Sequence, residues 1–336
     1  MEGGLEVLLF TYYAEGLGIS TLLNMQFFTP DAQLDRFGQE VLKSTWQTFP
    51  DLNREQIAMT WLVYDQDAPM NTAGALTAED VWRYVPRGFS YRGSERIYPA
   101  SVVKLFYLVA LQEWLEKGMT STSAEIDRAL QDMIVDSSND ATSLIVDILS
   151  GTTSGPELPI EPFKAWQQQR NIVNRYFKSL GWSELDQINV NQKTWGNGPY
   201  GRERAFVGEL YDNRNMLTTE ATARLLHSVV AGIAVSGDRS QSMLELLQRD
   251  IAAGQIIPPP DEENQVNGFL GEGLPLGSKL WSKAGWTSKV RHDAAYVEMS
   301  DRLSMLLVVF TEGSAQNRQI LPAIARQIVS ATANLA

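Results

Sequence analysis

Ser101 and Lys104 stand three residues apart in Ser101-Val102-Val103-Lys104, a spacing that places both side chains on one face of a helix. A serine at a helix start has unpaired backbone N–H groups and the positive end of the helix dipole beside it, an environment that favours an oxyanion. A lysine one turn on can take the serine proton if burial or a second cation lowers its pKa. The chain has nine lysines, and Lys104 alone has a serine three residues before it, set among Val102, Val103, Leu105 and Phe106. A helix cap followed by a surface lysine would give the same letters; the apolar neighbours argue for a buried lysine instead. Two further groups carry polar chemistry. Ser137-Ser138-Asn139 brings two hydroxyls and an amide between two helical stretches, where one of the three suffices to cap the next helix. Lys283-Ala284-Gly285 puts a cation on a late strand, followed by a residue that lets backbone approach closely.

Composition narrows the alternatives. The 336 residues carry a formal net charge of -12 and contain no cysteine and only two histidines, His227 and His292. Disulfides, thiolate metal sites and cysteine nucleophiles are thereby excluded. An acidic total argues against a protein that grips nucleic-acid backbone or an anionic membrane surface. With two histidines, the base is expected to be Lys or Glu, and His292, on a strand, is expected to be structural. The first six residues lack the basic start of a secretory signal, and no window reaches the length of a membrane span.

The elements that must position these residues follow from periodicity. Residues 1–55 are read as an N-terminal helical arm, with the clearest helical spacing over 31–48. Strands are expected at 57–65 and 89–92, then helices at 101–117, 124–135, 141–149, 163–180, 218–231 and 240–253. Residues 189–215 form a long polar segment rich in Asn and Gly. Strands at 279–285, 294–299 and 303–310, a turn at 300–302 and a closing helix at 315–335 complete the chain. Strands at both ends bracket a helical middle, which implies an α/β layer (about 56–95 and 275–336) with an all-α lobe (about 96–274) inserted.

Ser-x-x-Lys, then Ser-x-Asn, then Lys-x-Gly on a late strand is the ordered set of class A β-lactamases and penicillin-binding proteins, and the chain resembles that superfamily from about Ile57 onward. The run Tyr91 to Ala100 before the nucleophile, Asn139 to Ile145, Asn213 to Asn215 with Thr218-Thr219, and Leu307 to Gly313 extend the likeness. The resemblance implies an α+β catalytic domain over 56–336: a five-stranded antiparallel sheet flanked by helices, with a helical lobe beside it. It implies Ser101 as acylated nucleophile, Lys104 as its base, and Ser137 with Lys283 delivering a proton to the leaving nitrogen. Asn139 would hold the substrate's acylamide side chain. The N–H groups of Ser101 and Trp286 would form the oxyanion hole. Arg291 stands where many class A enzymes hold the substrate carboxylate, and a surface salt bridge is its other reading. The resemblance implies a class A-like β-lactamase acting on a small β-lactam or peptidoglycan-like amide, the alternatives being a D,D-peptidase or esterase that deacylates slowly and a non-catalytic penicillin-recognising protein of the same fold. No metal or organic cofactor is implied, a monomer is expected, and the compartment would be periplasmic or secreted by analogy.

Departures from the family pattern bear on turnover. Ala284 replaces the usual Thr or Ser, removing a hydroxyl that binds the substrate carboxylate; Thr287 and Ser288 are the nearby hydroxyls. One lost hydrogen bond to a charged group costs about 1.5–3 kcal/mol. The Glu-x-x-Asn spacing of the deacylating glutamate is missing from 189–215. Glu203 and Glu209 are the candidate deacylation bases, while Trp195-Gly196 is the alternative occupant of that position. Without a glutamate at the acyl-ester, such a protein traps penicillin rather than hydrolysing it.

Overall fold

The computed structural model describes residues 27–70, 72–252, 264–300 and 302–335. Most of the helix expected before residue 30 therefore lies outside the described residues. Eleven α-helices and seven strands are described, in the order β1 (Thr29–Pro30), α1 (Ala32–Thr48), β2 (Ile57–Tyr64), α2 (Ala78–Trp82), β3 (Arg87–Tyr91), α3 (Val103–Glu116), α4 (Ala124–Ile134), α5 (Asn139–Ser150), α6 (Ile160–Arg170), α7 (Ile172–Ser179), α8 (Gly201–Val207), α9 (Thr219–Val230), α10 (Gly237–Leu247), β4 (Gln248–Arg249), β5 (Lys279–Trp286), β6 (Val290–Glu298), β7 (Ser304–Glu312) and α11 (Ile320–Thr332).

The sheet order is β1-β3-β2-β7-β6-β5-β4, seven strands where five were expected. The five long strands β3, β2, β7, β6 and β5 pair antiparallel throughout. The additions are two-residue strands, β1 running parallel to β3 and β4 antiparallel to β5. Segments that short carry no readable alternation, so the pattern of side chains could not announce them. Along each long strand, side chains alternate between two apolar layers. Met59, Trp61, Val63, Leu307 and Val309 join Leu34, Leu42, Ile324 and Ile328, the inner faces of α1 and α11. Ala58, Leu62, Leu306, Val308 and Phe310 face the other way, toward Phe106, Leu225 and Val229 of the helical lobe. Burial on both faces explains why β2 reads as a continuous apolar run; β6 begins at Val290 rather than at 294 because Arg291, His292 and Asp293, polar in sequence, are buried and paired with β5.

Local chemistry sets the helix ends. Asp31 caps α1 by accepting from the N–H groups of Gln33 and Leu34 at 2.8 and 2.9 Å. The single helix expected over 163–180 is two, broken at Asn171, whose ψ of 9° is not helical. Asn171 Oδ1 accepts from Asn174 and Asn191, so its side chain is committed to the polar segment instead. That segment, 189–215, is held by asparagines: Asn215 Oδ1 accepts from the N–H groups of Asn191 and Gln192 at 3.0 and 2.9 Å. It also contains α8, a helix the composition did not signal. From Val103 to Leu115, α3 is buried on every side, making it the central helix of its lobe.

Candidate active site

The nucleophile candidate lies where α3 meets the sheet. Ser101 is half-buried in a 3-10 turn, Ala100–Val102, that leads directly into α3. Ala100 takes φ 46°, a left-handed backbone that costs a non-glycine residue about 1–3 kcal/mol and recurs at functional sites. Opposite stands Gly285 of β5. A Cβ there would sit 2.8 Å from Pro99 O, Ser101 N and Val102 N, so strand and turn touch backbone to backbone. That contact is what the glycine permits.

Lys104, one turn along α3, is fully buried. Its Nζ donates to Ser137 O, to Ser137 Oγ at 3.3 Å and to Asn139 Oδ1 at 3.0 Å. Burial pulls its pKa down to about 7. Ser137 follows α4 with φ 58°, also left-handed. Its neighbour Ser138 does the capping, accepting from Ala141 N at 3.2 Å. One serine therefore ends the turn while Ser137 and Asn139 face the cleft.

From the sheet side, Lys283 Nζ donates to Ser137 Oγ at 3.0 Å and to Ala284 O at 2.9 Å. Ser137 Oγ thus stands between two lysines. Lys283 is buried, and its pKa is held well below the usual lysine value by burial, then by the charges of Lys104 and Arg249, with Asp293 opposing. Among the described residues, no carboxylate forms an ion pair with either lysine.

The backbone of β5 completes the geometry. Thr287 N donates to Val290 O at 2.9 Å, closing the β5–β6 turn. Alternation in an antiparallel ladder then turns the N–H and C=O of Ala284 and Trp286 away from β6, toward the cleft. Ala284 N, which donates to Gln265 Oε1 at 3.2 Å, points that way. Trp286 N–H shares this edge with the turn that carries Ser101.

The remaining expected site residues make contacts of their own. Thr287 is exposed in the hairpin, and its Oγ1 accepts from Lys289 N and Val290 N. Arg291 is buried rather than at the surface, its guanidinium 4.6 Å from the Phe269 ring centroid, with Nε donating to Ala315 O at 3.0 Å. Trp286 is half-buried against Phe269. Glu203 is fully buried, with Oε1 2.6 Å from Arg170 Nη2 and 2.9 Å from Ser154 Oγ. Lys193 and Asp147 complete that ionic cluster. Glu209 is exposed in the loop after α8. His292 holds Tyr98 O at 2.9 Å through Nε2 and receives Thr311 N at Nδ1, so the ring is a neutral strut behind the nucleophile turn. Burial lowers its pKa to about 4.

Gln265 and Arg249 beside Lys283 carried no signal in the sequence; Asp293, next to His292, joins them. Gln265 accepts from the Lys283 ammonium, Arg249 hydrogen-bonds Ile134 O at 3.0 Å, and Asp293 accepts from Leu270 N at 3.0 Å. Burial raises the Asp293 carboxyl to about 7. None belongs to a short motif; the polar run Arg291-His292-Asp293 at the opening of β6 was the available signal.

An antiparallel sheet backed by terminal helices, with a helical lobe delivering a Ser-x-x-Lys turn to its edge strand, is the β-lactamase architecture. Residues 120–332 match the beta-lactamase enzyme family, and the chain belongs to that family. A solved β-lactamase from Sphaerobacter thermophilus is similar at 17% identity and TM-score 0.57, covering 89% of this chain and 98% of that one. PBP-A is similar at 16% identity and TM-score 0.57, covering 90% and 97%. A variant of the last common ancestor of Gram-negative class A β-lactamases gives 18% and 0.56, covering 89% and 97%. Identities this low carry the fold alone. No curated protein sequence matches the chain. No helix among the described residues is long and apolar enough to cross a membrane.

Proposed function

We propose that the chain is a serine acyl enzyme that opens β-lactam-type amides through an ester on Ser101. The observation that carries this reading is Ser137 Oγ standing between Lys104 and Lys283, at 3.3 and 3.0 Å. Ser101 Oγ attacks the carbonyl carbon, and its proton passes to neutral Lys104. A lysine with a pKa of about 7 is substantially unprotonated at neutral pH, as a base must be. The N–H groups of Ser101 and Trp286 receive the oxyanion. As the C–N bond breaks, Ser137 gives its proton to the leaving nitrogen and is reprotonated from the lysines. Asn139, already an acceptor for Lys104, offers its amide N–H groups to the substrate's acylamide side chain.

For the second half of the reaction, the geometry favours a persistent ester. Glu203 is spoken for by Arg170 and Ser154, Glu209 faces solvent, and neither contacts Lys104. A related structure of a PBP-A mutant is described as an acyl-enzyme complex with penicillin G. This reading places the chain nearer a penicillin-binding D,D-peptidase or esterase than a fast β-lactamase. An intact-mass time course with excess penicillin tests it. A penicilloyl adduct on Ser101 that outlasts the free drug is expected, and Ser101→Ala should take no label while keeping its fold. An adduct that clears as the drug is consumed points to a working β-lactamase. Equal labelling of Ser101→Ala would refute the acyl-enzyme assignment.

A further inference from the structure

Gln265 makes four hydrogen bonds from a site 4% exposed. Its Nε2 donates to Ile134 O and to Val135 O, both at 2.8 Å. Its Oε1 accepts from Lys283 Nζ and, at 3.2 Å, from Ala284 N. A primary amide has two donors and two acceptor lone pairs, so all its capacity is used. The flipped amide would set NH2 against an ammonium and a carbonyl against two carbonyls, so only one orientation fits. The two carbonyls close α4, immediately before Asp136 and Ser137; the two acceptor contacts go to β5. One side chain therefore joins both walls of the cleft at the point where Lys283 meets Ser137.

We propose that Gln265 is a positioning residue that fixes the Lys283 ammonium against Ser137 while tying the end of α4 to β5. With no hydrogen-bonding capacity left for substrate, it acts only through Lys283 and the Ser137 turn. A neutral acceptor matters here. The charged groups facing Lys283 are Lys104 from α3, Arg249 from β4 and Asp293 from β6, two cations against one acid. An uncharged oxygen holds the ammonium without pinning its proton, whereas a carboxylate would hold the proton too. The catalytic part of the inference rests on the acyl-enzyme reading above; the hold on Lys283 does not.

The test is an NMR titration of the full chain with 13C-labelled lysine, the Lys283 signal being assigned by its loss in Lys283→Arg. Gln265→Glu is expected to move the Lys283 midpoint up by about one pH unit or more, as an opposite charge in contact does. Gln265→Met, which keeps the bulk without the acceptor, is expected to move it down. If Gln265→Glu does not fold, Gln265→Met decides alone. A midpoint unchanged from wild type in the folded variants overturns the proposal. Acylation by a fluorescent penicillin is scored in parallel on folded protein, and Gln265→Met should slow it by about ten- to a hundredfold, with a lower Tm because Ile134 O, Val135 O and Ala284 N lose their partner. Wild-type protein that takes no label while Lys283 still responds refutes the acyl-enzyme reading and leaves the hold on Lys283 intact. Labelling at wild-type rate in Gln265→Met refutes the catalytic part alone.

Discussion

Gly285→Ala is the substitution whose effect can be worked most directly from distances. The added methyl would meet Pro99 O, Ser101 N and Val102 N at 2.8 Å, all backbone atoms that cannot swing aside. Relief to an ordinary contact near 3.4 Å requires β5 and the Ser101 turn to separate by about 0.6 Å. Such overpacking costs about 1–3 kcal/mol of stability. The separation falls between the two N–H groups assigned to the oxyanion, and a misplacement approaching 1 Å costs up to about a hundredfold in rate. Stopped-flow acylation by a fluorescent penicillin should therefore slow about ten- to a hundredfold, with a modest drop in Tm. Gly196→Ala is the control, since a Cβ there meets nothing within 4 Å and its φ is not positive. Wild-type acylation by Gly285→Ala, or an equal loss in Gly196→Ala, would refute the argument.

Other expectations follow from the same geometry. With Lys104 as base at a pKa of about 7, acylation should rise about tenfold per pH unit below 7 and level off above it. Lys104→Arg, which stays charged, should lose about 10²–10⁴-fold and the pH dependence with it; stopped flow across pH 5–9 checks both. Asp293 has a folded pKa of about 7, above that of the unfolded chain, so the stability it contributes is complete below about pH 4 and is lost as pH rises through 7. Asp293→Asn should therefore remove up to about 4 kcal/mol of pH dependence between pH 4 and 8 in urea unfolding. Glu203→Gln leaves buried Arg170 with Asp147, at 3.3 Å, as its one carboxylate among the described residues and should cost about 3 kcal/mol. It should not change the lifetime of the penicilloyl ester; a lifetime lengthened a hundredfold by mass spectrometry would make Glu203 the deacylation base.

The candidate site was legible in the sequence because its members sit in short local patterns. Ser101 and Lys104 share a helix turn, Ser137 and Asn139 share a loop, and Lys283 precedes a glycine, so short spacings carried each group. The structure brings Lys104, Ser137, Asn139 and Lys283 into one hydrogen-bonded cluster beside the Ser101 turn. What stayed hidden is contact between distant segments. Gln265 meets Ile134 across 131 positions, a pairing no spacing encodes. Glu203 is an ordinary acidic letter in a polar segment until Arg170, 33 positions away, folds over it. The start of strand β6 was masked by Arg291-His292-Asp293, three polar residues that the fold buries. The break at Asn171 lies in its backbone, with ψ 9°, while its side chain is tied to Asn174 and Asn191, contacts that no spacing encodes.

The two-residue strands limit what other chains can pair with this sheet. An open ladder edge is a template for pairing with foreign backbone. At one end of this sheet the outermost strand carries Pro30, which has no N–H to offer. At the other, β4 shields β5 only as far as the pairs of Leu280 and Trp281, and beyond them the edge stands open at Trp286. Since Ala284 already gives its N–H to Gln265 and its C=O to Lys283, the backbone left beyond β4 narrows to Trp286, at the candidate cleft. A second chain docking there by self-association would compete with substrate for the same backbone groups. Oligomers formed through that edge should lose penicillin labelling in proportion, making occupancy of the cleft a direct readout of whether the protein has begun to aggregate.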